Sequence, residues 1–259
     1  MTVTPPQSSP EISSQDDVVE NALLGGRVRL GQPARGYRAG MDAALLAAAV
    51  QARPGERVFE AGCGAGAVLM QIAARRPGVV LAGLEREAPA ADLARRNAIL
   101  NDVADRTAIL TGDVAHGFRP LELPLFDWAV SNPPFFDDET ALRAPAAGKR
   151  AAWIADDGIE AWIDLLLASV RDGGRVLIVH RADRLADILT LLGDKCGSFA
   201  ILPVQPFADQ PAKRVLVRAI KRGKAPLVLL PALVLHDRSG AKHTAEAEAV
   251  LRGETDLTV

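Results

Sequence analysis

The run Glu60-Ala61-Gly62-Cys63-Gly64-Ala65-Gly66 constrains the fold more than any other stretch of this chain. A short apolar strand, residues 57–60, leads into it. Residues 67–76 follow with helical spacing, Val68, Leu69, Ile72 and Ala73 falling on one face. Strand, glycine-rich loop and helix open an α/β unit. Glycines let the backbone come close to a ligand, and the start of the next helix presents free N–H groups. A second buried strand, 79–84, ends on Glu85, which lies 19 residues past Gly66. A carboxylate there can accept hydrogen bonds from both ribose hydroxyls of an adenosine-type cofactor, or stand as a solvated strand-end acid. The spacing Glu-x-Gly-x-Gly-x-Gly is not the Gly-x-Gly-x-x-Gly of a dinucleotide site, which disfavours a nicotinamide dehydrogenase.

A second constraint is Ser131-Asn132-Pro133-Pro134-Phe135-Phe136, which closes the apolar run 126–130, read as a strand. Neither proline has an N–H for a ladder, so the chain leaves the sheet at Asn132. This groups an amide side chain, backbone carbonyls and aromatic rings at a strand's carboxyl end, where ligands sit in open α/β sheets. Asn132 and the Pro133 carbonyl can both accept from one –NH2 group, and Phe135 can stack on a flat base. The alternative is a proline-rich exit turn with Phe135 and Phe136 capping the core.

The remaining elements complete an α/β pattern. Residues 1–20 are polar and read as a disordered tail. Residues 27–30 alternate as a short strand, and a loop from Gln32 holds Tyr37 between Arg35 and Arg38, as a solvated loop, a lid or an RNA-facing rim. Residues 42–50 read as a buried helix with Asp42 as its cap. A helix at 89–100 stops at Asn101. A strand at 107–110 precedes Asp113, which either meets an adenine edge or caps a turn. Residues 137–157 lack apolar periodicity and include Lys149 and Arg150. A helix at 159–170, a strand at 175–180 and a helix capped by Asp183 follow. Residues 198–204 and 214–220 are strands with no helix between them, hence an antiparallel hairpin closing the sheet. Lys213, Arg214, Arg218 and the run 221–224 form either a phosphate-binding patch or a solvated edge. Residues 227–235 suggest an edge strand, and Thr244 caps a last short helix.

The chain has 259 residues, 49% of them hydrophobic and 24% charged, with a formal net charge of -2. That excludes a global basic signature, so any nucleic-acid contact must come from local patches. Cys63 and Cys196 suggest neither a disulfide framework nor a zinc spacing, and His116, His180, His236 and His243 form no metal pattern. No apolar run reaches membrane-spanning length, and no signal peptide is recognisable. A cytoplasmic protein is expected.

The glycine loop resembles the S-adenosylmethionine loop of Rossmann-like methyltransferases, and the final hairpin resembles their reversed seventh strand. Asn132 to Phe135 matches the family's Asn-Pro-Pro-aromatic motif, at its expected place after the fourth strand. The upstream signature Gln32-Pro33-x-x-Gly36-Tyr37-Arg38-x-x-x-Asp42-Ala43-x-Leu45-Leu46-Ala47 looks like that of bacterial tRNA adenine methyltransferases, which act on the adenine 3′ of the anticodon in a valine tRNA. The resemblance runs from about residue 23 to 220. It departs at Phe135, where close members often carry Tyr, and in the tail after Lys221.

The resemblance implies a mostly parallel seven-stranded α/β sheet with the last strand antiparallel and helices on both faces. It places a methyltransferase domain at 21–221, with a substrate-facing segment at 21–41 and a C-terminal extension at 222–259. S-adenosylmethionine would be held by Tyr37, Glu60, Gly62, Cys63, Gly64, Gly66, Glu85, Asp113 and Asn132. Asn132, Pro133 and Phe135 would act on the substrate amine. Arg35, Arg38, Lys149, Arg150, Lys213 and Arg214 would meet tRNA phosphates, with no metal and no membrane involved. The rivals are a guanine 2-amino methyltransferase of ribosomal RNA and a glutamine amide methyltransferase acting on release factors.

Overall fold

The computed structural model describes residues 18–34, 40–134, 158–238 and 240–259. It begins with a hairpin of β1 (Val18–Leu23) and β2 (Val28–Pro33). Strand β1 starts within the stretch expected to be disordered, and β2 runs on through Gln32 and Pro33, where a loop was expected. Helix α1 (Met41–Ala49) is buried almost throughout, as its Ala and Leu content requires. Its N-cap is Gly40, not Asp42. Starting at Met41 places Asp42 inside the first turn, where its carboxylate meets the Arg214 guanidinium at 3.1 Å.

The central unit is β3 (Arg57–Ala61), α2 (Ala67–Arg75), β4 (Val80–Glu85), α3 (Ala88–Leu100), β5 (Thr107–Thr111), β6 (Phe126–Ser131), α4 (Gly158–Ser169) and β7 (Val170–Arg181). Next come α5 (Leu185–Gly193), β8 (Cys196–Gln205) and β9 (Arg214–Lys221). The cap expected of Asp183 is not formed. That residue lies in a 3-10 turn and pairs with Arg181, while Arg184 occupies the N-cap of α5.

Two short strands, β10 (Val228–Leu229) and β11 (Leu233–Val234), come last, and the order across the sheet is β10-β8-β9-β7-β6-β3-β4-β5, with β11 also pairing β8. Strands β3 to β7 are parallel, and β9 runs antiparallel to both β7 and β8. Among the described residues the sheet has nine strands: the expected seven, β3 to β9, with the last antiparallel, and two short ones within 227–235, where an edge strand was expected. These two, β10 and β11, are both parallel to β8. Pro231 lies between them and has no N–H to continue a ladder.

One core packs α1, α2 and parts of α3 on one face of the sheet; α4 and α5 cover the other. Helix α6 (Ala245–Arg252) has Thr244 as its cap, accepting from Ala247 N–H at 3.2 Å.

The hairpin is fastened to α3 by two amide side chains. Asn97 accepts from Gly31 N–H at 2.8 Å and donates to Gly31 C=O at 2.9 Å. Asn101 accepts from Arg29 N–H at 2.9 Å and donates to Arg29 C=O at 2.7 Å. Four residues of helix rise about 6 Å, and two residues of strand about 6.6 Å. The i, i+4 pair on α3 thus matches the i, i+2 pair on β2.

Candidate functional site

The chain runs outward from β3 through β4 to β5, then returns to the other side of β3 as β6. The switch point therefore lies between β3 and β6, where a crevice opens at the strands' carboxyl ends. The glycine loop leaves β3 at this point, and Asn132 leaves β6 there. Ala61 and Ser131 are paired across the two strands, and Ser131 Oγ, fully buried, donates to Ala61 C=O at 2.9 Å. Asn132 is consequently next to Gly62, half-buried, with Pro133 buried behind it.

The loop is tied to β4. Gly62 and Cys63 both donate their N–H to Leu84 C=O, at 2.8 and 3.0 Å. Glu85 accepts from Gly64 N–H at 2.8 Å and from Glu87 N–H at 2.9 Å. Gly112 N–H donates to Glu85 C=O at 2.9 Å, which brings the end of β5 alongside. Asp113, the glycine loop's neighbour Glu85, the loop itself and Asn132 thus form a row over four adjacent strand ends. Asp113 caps the following 3-10 turn, accepting from Ala115 N–H at 3.0 Å.

Gly62 has φ 69°, and a Cβ there would lie 2.5 Å from the Trp162 ring on α4. Gly64 also has positive φ, but nothing lies within 4 Å of where its Cβ would be. The loop is therefore packed on one side and open on the other.

Glu60 is 2% exposed, and its Oε2 is buried without a hydrogen-bond partner. Burial holds its carboxyl well above the usual range, and Glu85 adds to this; the Leu69 backbone N–H in the first turn of α2 opposes both. Burial likewise pushes the Cys63 thiol well up, with Glu60 and Glu85 assisting. A thiol so placed is a poor nucleophile.

Lys213 and Arg214 lie near this same end of the sheet, beside the exit of β7. Of the two readings for these residues and the run 221–224, a single phosphate-binding patch does not form. Strand β9 is extended, so Lys221 and Arg222 are at its opposite end, with Lys221 donating to the Leu167 and Val170 carbonyls and Arg222 paired with Asp172. Arg35, Tyr37, Arg38, Phe135, Lys149 and Arg150 lie outside the described residues. Among the described residues, no group of three or more His, Cys, Asp or Glu is placed to hold a metal, and no helix is long and apolar enough to cross a membrane.

Sequence reasoning missed Trp162, Ser131 and above all Asn97, whose Nδ2 also donates to Ala65 C=O at 2.8 Å within the glycine loop. The signal was an Asn inside a helix, a position that type disfavours unless its amide is used.

Residues 38–148 match the sequence model of the methyltransferase small domain family. The tRNA1(Val) (adenine(37)-N6)-methyltransferase of Yersinia enterocolitica is 38% identical over 110 residues, 42% of this chain and 43% of that protein. The release factor glutamine methyltransferase of Chlorobaculum tepidum is 29% identical over 168 residues, 62% of this chain and 56% of that protein. The chain thus spans less than half of the first relative and somewhat over half of the second. Among solved structures, a predicted O-methyltransferase of Agrobacterium tumefaciens superposes with a TM-score of 0.70 at 26% identity, over 84% of this chain and 99% of that one. A SAM-dependent O-methyltransferase of Thermotoga maritima shares the fold, with a TM-score of 0.53 at 17% identity over 74% of this chain and 68% of that one. The chain has the Rossmann-like fold of S-adenosylmethionine-dependent methyltransferases, and its residues 38–148 match a methyltransferase domain.

Proposed function

We propose that this protein methylates the exocyclic amine of an adenine in RNA, with the adenine 3′ of a tRNA anticodon as its target. The observation that carries the reading is Asn132-Pro133-Pro134 leaving β6 directly beside the glycine loop that leaves β3.

The residues present fit the cofactor. The loop's open side at Gly64 admits a ligand, the Glu85 carboxylate at the strand end can turn to two ribose hydroxyls, and the buried Glu60 oxygen favours a nearby positive charge. When bound, S-adenosylmethionine supplies a methyl group on a positively charged sulfur. Tyr37 and Asp113 are further candidates for its surroundings.

An adenine amine is a weak nucleophile because its lone pair is delocalised into the ring. The Asn132 amide oxygen and the Pro133 carbonyl accept its two N–H groups, holding the nitrogen and favouring a pyramidal geometry. Phe135 stacks on the base after it has left its own stack. The surplus proton on nitrogen passes to solvent. Positioning supplies the rate, through a near-attack geometry. Arg35, Arg38, Lys149, Arg150, Lys213 and Arg214 contact phosphates, which predicts marked salt dependence.

A second reading has its own support: the release-factor relative matches a longer part of this chain than the tRNA enzyme does. A glutamine side-chain amide offers the same flat –NH2 group to Asn132. One experiment separates the two. The protein is incubated with methyl-labelled cofactor and tRNA, ribosomal RNA or a protein extract. Label recovered as N6-methyladenosine from tRNA supports the proposal; label in the protein fraction refutes it. Asn132→Ala should lower turnover by about 100-fold or more while cofactor still binds.

A further inference from the structure

A cavity of about 290 Å³ lies at the opposite end of the sheet from Asn132, lined by Gln51, Arg53, Glu56, Trp128, Arg175 and Arg218, with Val259 at its edge. It sits on the α1 face, at the amino ends of the parallel strands. Trp128 pairs with Val58 and with Arg175, and Arg218 is the diagonal cross-strand neighbour of Arg175. Four residues of β6 separate Trp128 from Asn132, about 13 Å of strand.

Three guanidiniums face this space. Glu56 is the one acidic side chain among the lining residues, and it is engaged: Oε2 accepts from Trp128 Nε1 at 3.3 Å and from Arg53 N–H at 2.9 Å. Among the lining side chains, positive charge is in excess. The guanidinium of Arg175 lies 5.0 Å from the Trp128 ring centroid and has no carboxylate within ion-pair distance among the described residues; Asp127 on the neighbouring strand acts on it only at longer range. Arg218 Nε is buried and has no hydrogen-bond partner. Burial, and Arg175 after it, both disfavour its charge.

Arg75 on this face also has a buried Nε without a partner, but the rest of its guanidinium is engaged. Arg75 and Arg76 each reach backbone carbonyls and share Asp256. Arg175 and Arg218 thus face the cavity side by side with neither guanidinium ion-paired or hydrogen-bonded among the described residues, and one N–H of Arg218 is buried. Guanidinium forks match phosphate oxygens in geometry as well as charge.

We propose that this cavity binds a phosphate-class anion through Arg175 and Arg218, with Gln51 and Arg53 at its rim. The anion is a free phosphate or phosphomonoester, or a phosphodiester of an RNA backbone; both present the same oxygens. The site stands on its own residues and does not depend on which amine the domain methylates.

The test is titration of the full chain with sodium phosphate at constant ionic strength. Trp128 fluorescence and the melting temperature are the two readouts, and chloride is the control anion. Saturable responses in both are expected, with affinity falling about tenfold or more in Arg218→Gln and in Arg175→Gln, the loss expected when a charge-assisted contact is removed. Circular dichroism establishes that each variant folds, and Trp128→Phe removes the optical signal while keeping the melting response. A response no greater than that to chloride, or one equal in wild type and both folded variants, overturns the site. Uridine monophosphate competing with phosphate identifies a free phosphomonoester as ligand. A short RNA that displaces phosphate in the wild type, when the mononucleotide does not, identifies a backbone phosphodiester.

Discussion

Asn97→Ala should remove more stability than any other single polar truncation near the site. Asn97 is 1% exposed and makes three hydrogen bonds, two with Gly31 and one with Ala65 C=O, all between 2.8 and 2.9 Å. Truncation leaves the buried N–H and C=O of Gly31 without partners, at about 1–2 kcal/mol each. The Ala65 carbonyl is partly exposed and can turn to water, so its loss adds only about 0.5 kcal/mol. Ala is the better helix former and returns about 0.5 kcal/mol. The net cost is about 3 kcal/mol, within the 5–15 kcal/mol that a domain has in reserve. Urea unfolding should therefore show a lower midpoint at unchanged slope. Hydrogen exchange should localise the effect. Amides of β1 and β2 that open by releasing the hairpin should exchange about 150-fold faster, at 1.4 kcal/mol per tenfold. Because the Ala65 bond enters the glycine loop, cofactor affinity should fall as well. Asn101→Ala is the internal control, with more exposed bonds and a cost of about 1 kcal/mol. A cost under 1 kcal/mol for Asn97→Ala, or unchanged exchange in the hairpin, would refute the clamp.

Three further perturbations follow from the same geometry. In its folded state Glu60 holds its proton above the ordinary value of 4.5, so between these pH values the folded chain binds more protons than the unfolded one. Stability should decline as pH rises above about 4.5, and Glu60→Gln should flatten that decline in denaturant titrations while weakening cofactor binding; an unchanged profile would contradict the assignment. Gly62→Ala forces a Cβ to 2.5 Å from Trp162 at positive φ, so it should cost about 2 kcal/mol or more; Trp162→Leu in the same background should recover the steric part only. Cys63 and Cys196 are both buried, and burial raises both thiols, Cys196 to about 11. Labelling with a thiol reagent at pH 8 should be slow in the folded chain and rapid in denaturant, and fast labelling of the native chain would show the loop to be open.

What could be read from the sequence was what neighbouring residues determine together. The glycine loop, Glu85 and Asn132-Pro133-Pro134 each encode a local backbone event at a strand end. A parallel sheet then gathers strand ends without further instruction. The clamp was not legible, because Asn97 and Gly31 are 66 residues apart and nothing local says that β2 lies along α3. The expected caps at Asp42 and Asp183 failed by one or two residues, the scale on which helix starts shift when the first turn finds another partner. The edge strand expected over 227–235 is there, but as two pieces of two residues each, because Pro231 interrupts it.

The basic residues of β9 show how proximity in sequence misleads. An extended strand separates its ends by about 3.3 Å per residue, so Lys213 and Lys221 serve opposite ends of the sheet. Side chains two apart share a face instead. On the face that buries Leu177, Val179 and Leu216, the same period places Arg175 and Arg218. A guanidinium in the register of a buried leucine needs an acceptor that the surrounding apolar side chains cannot supply. The amino end of the sheet holds two such residues side by side, which is why an anion is the missing partner there and a cationic cofactor suits the carboxyl end, where Glu60 and Glu85 converge.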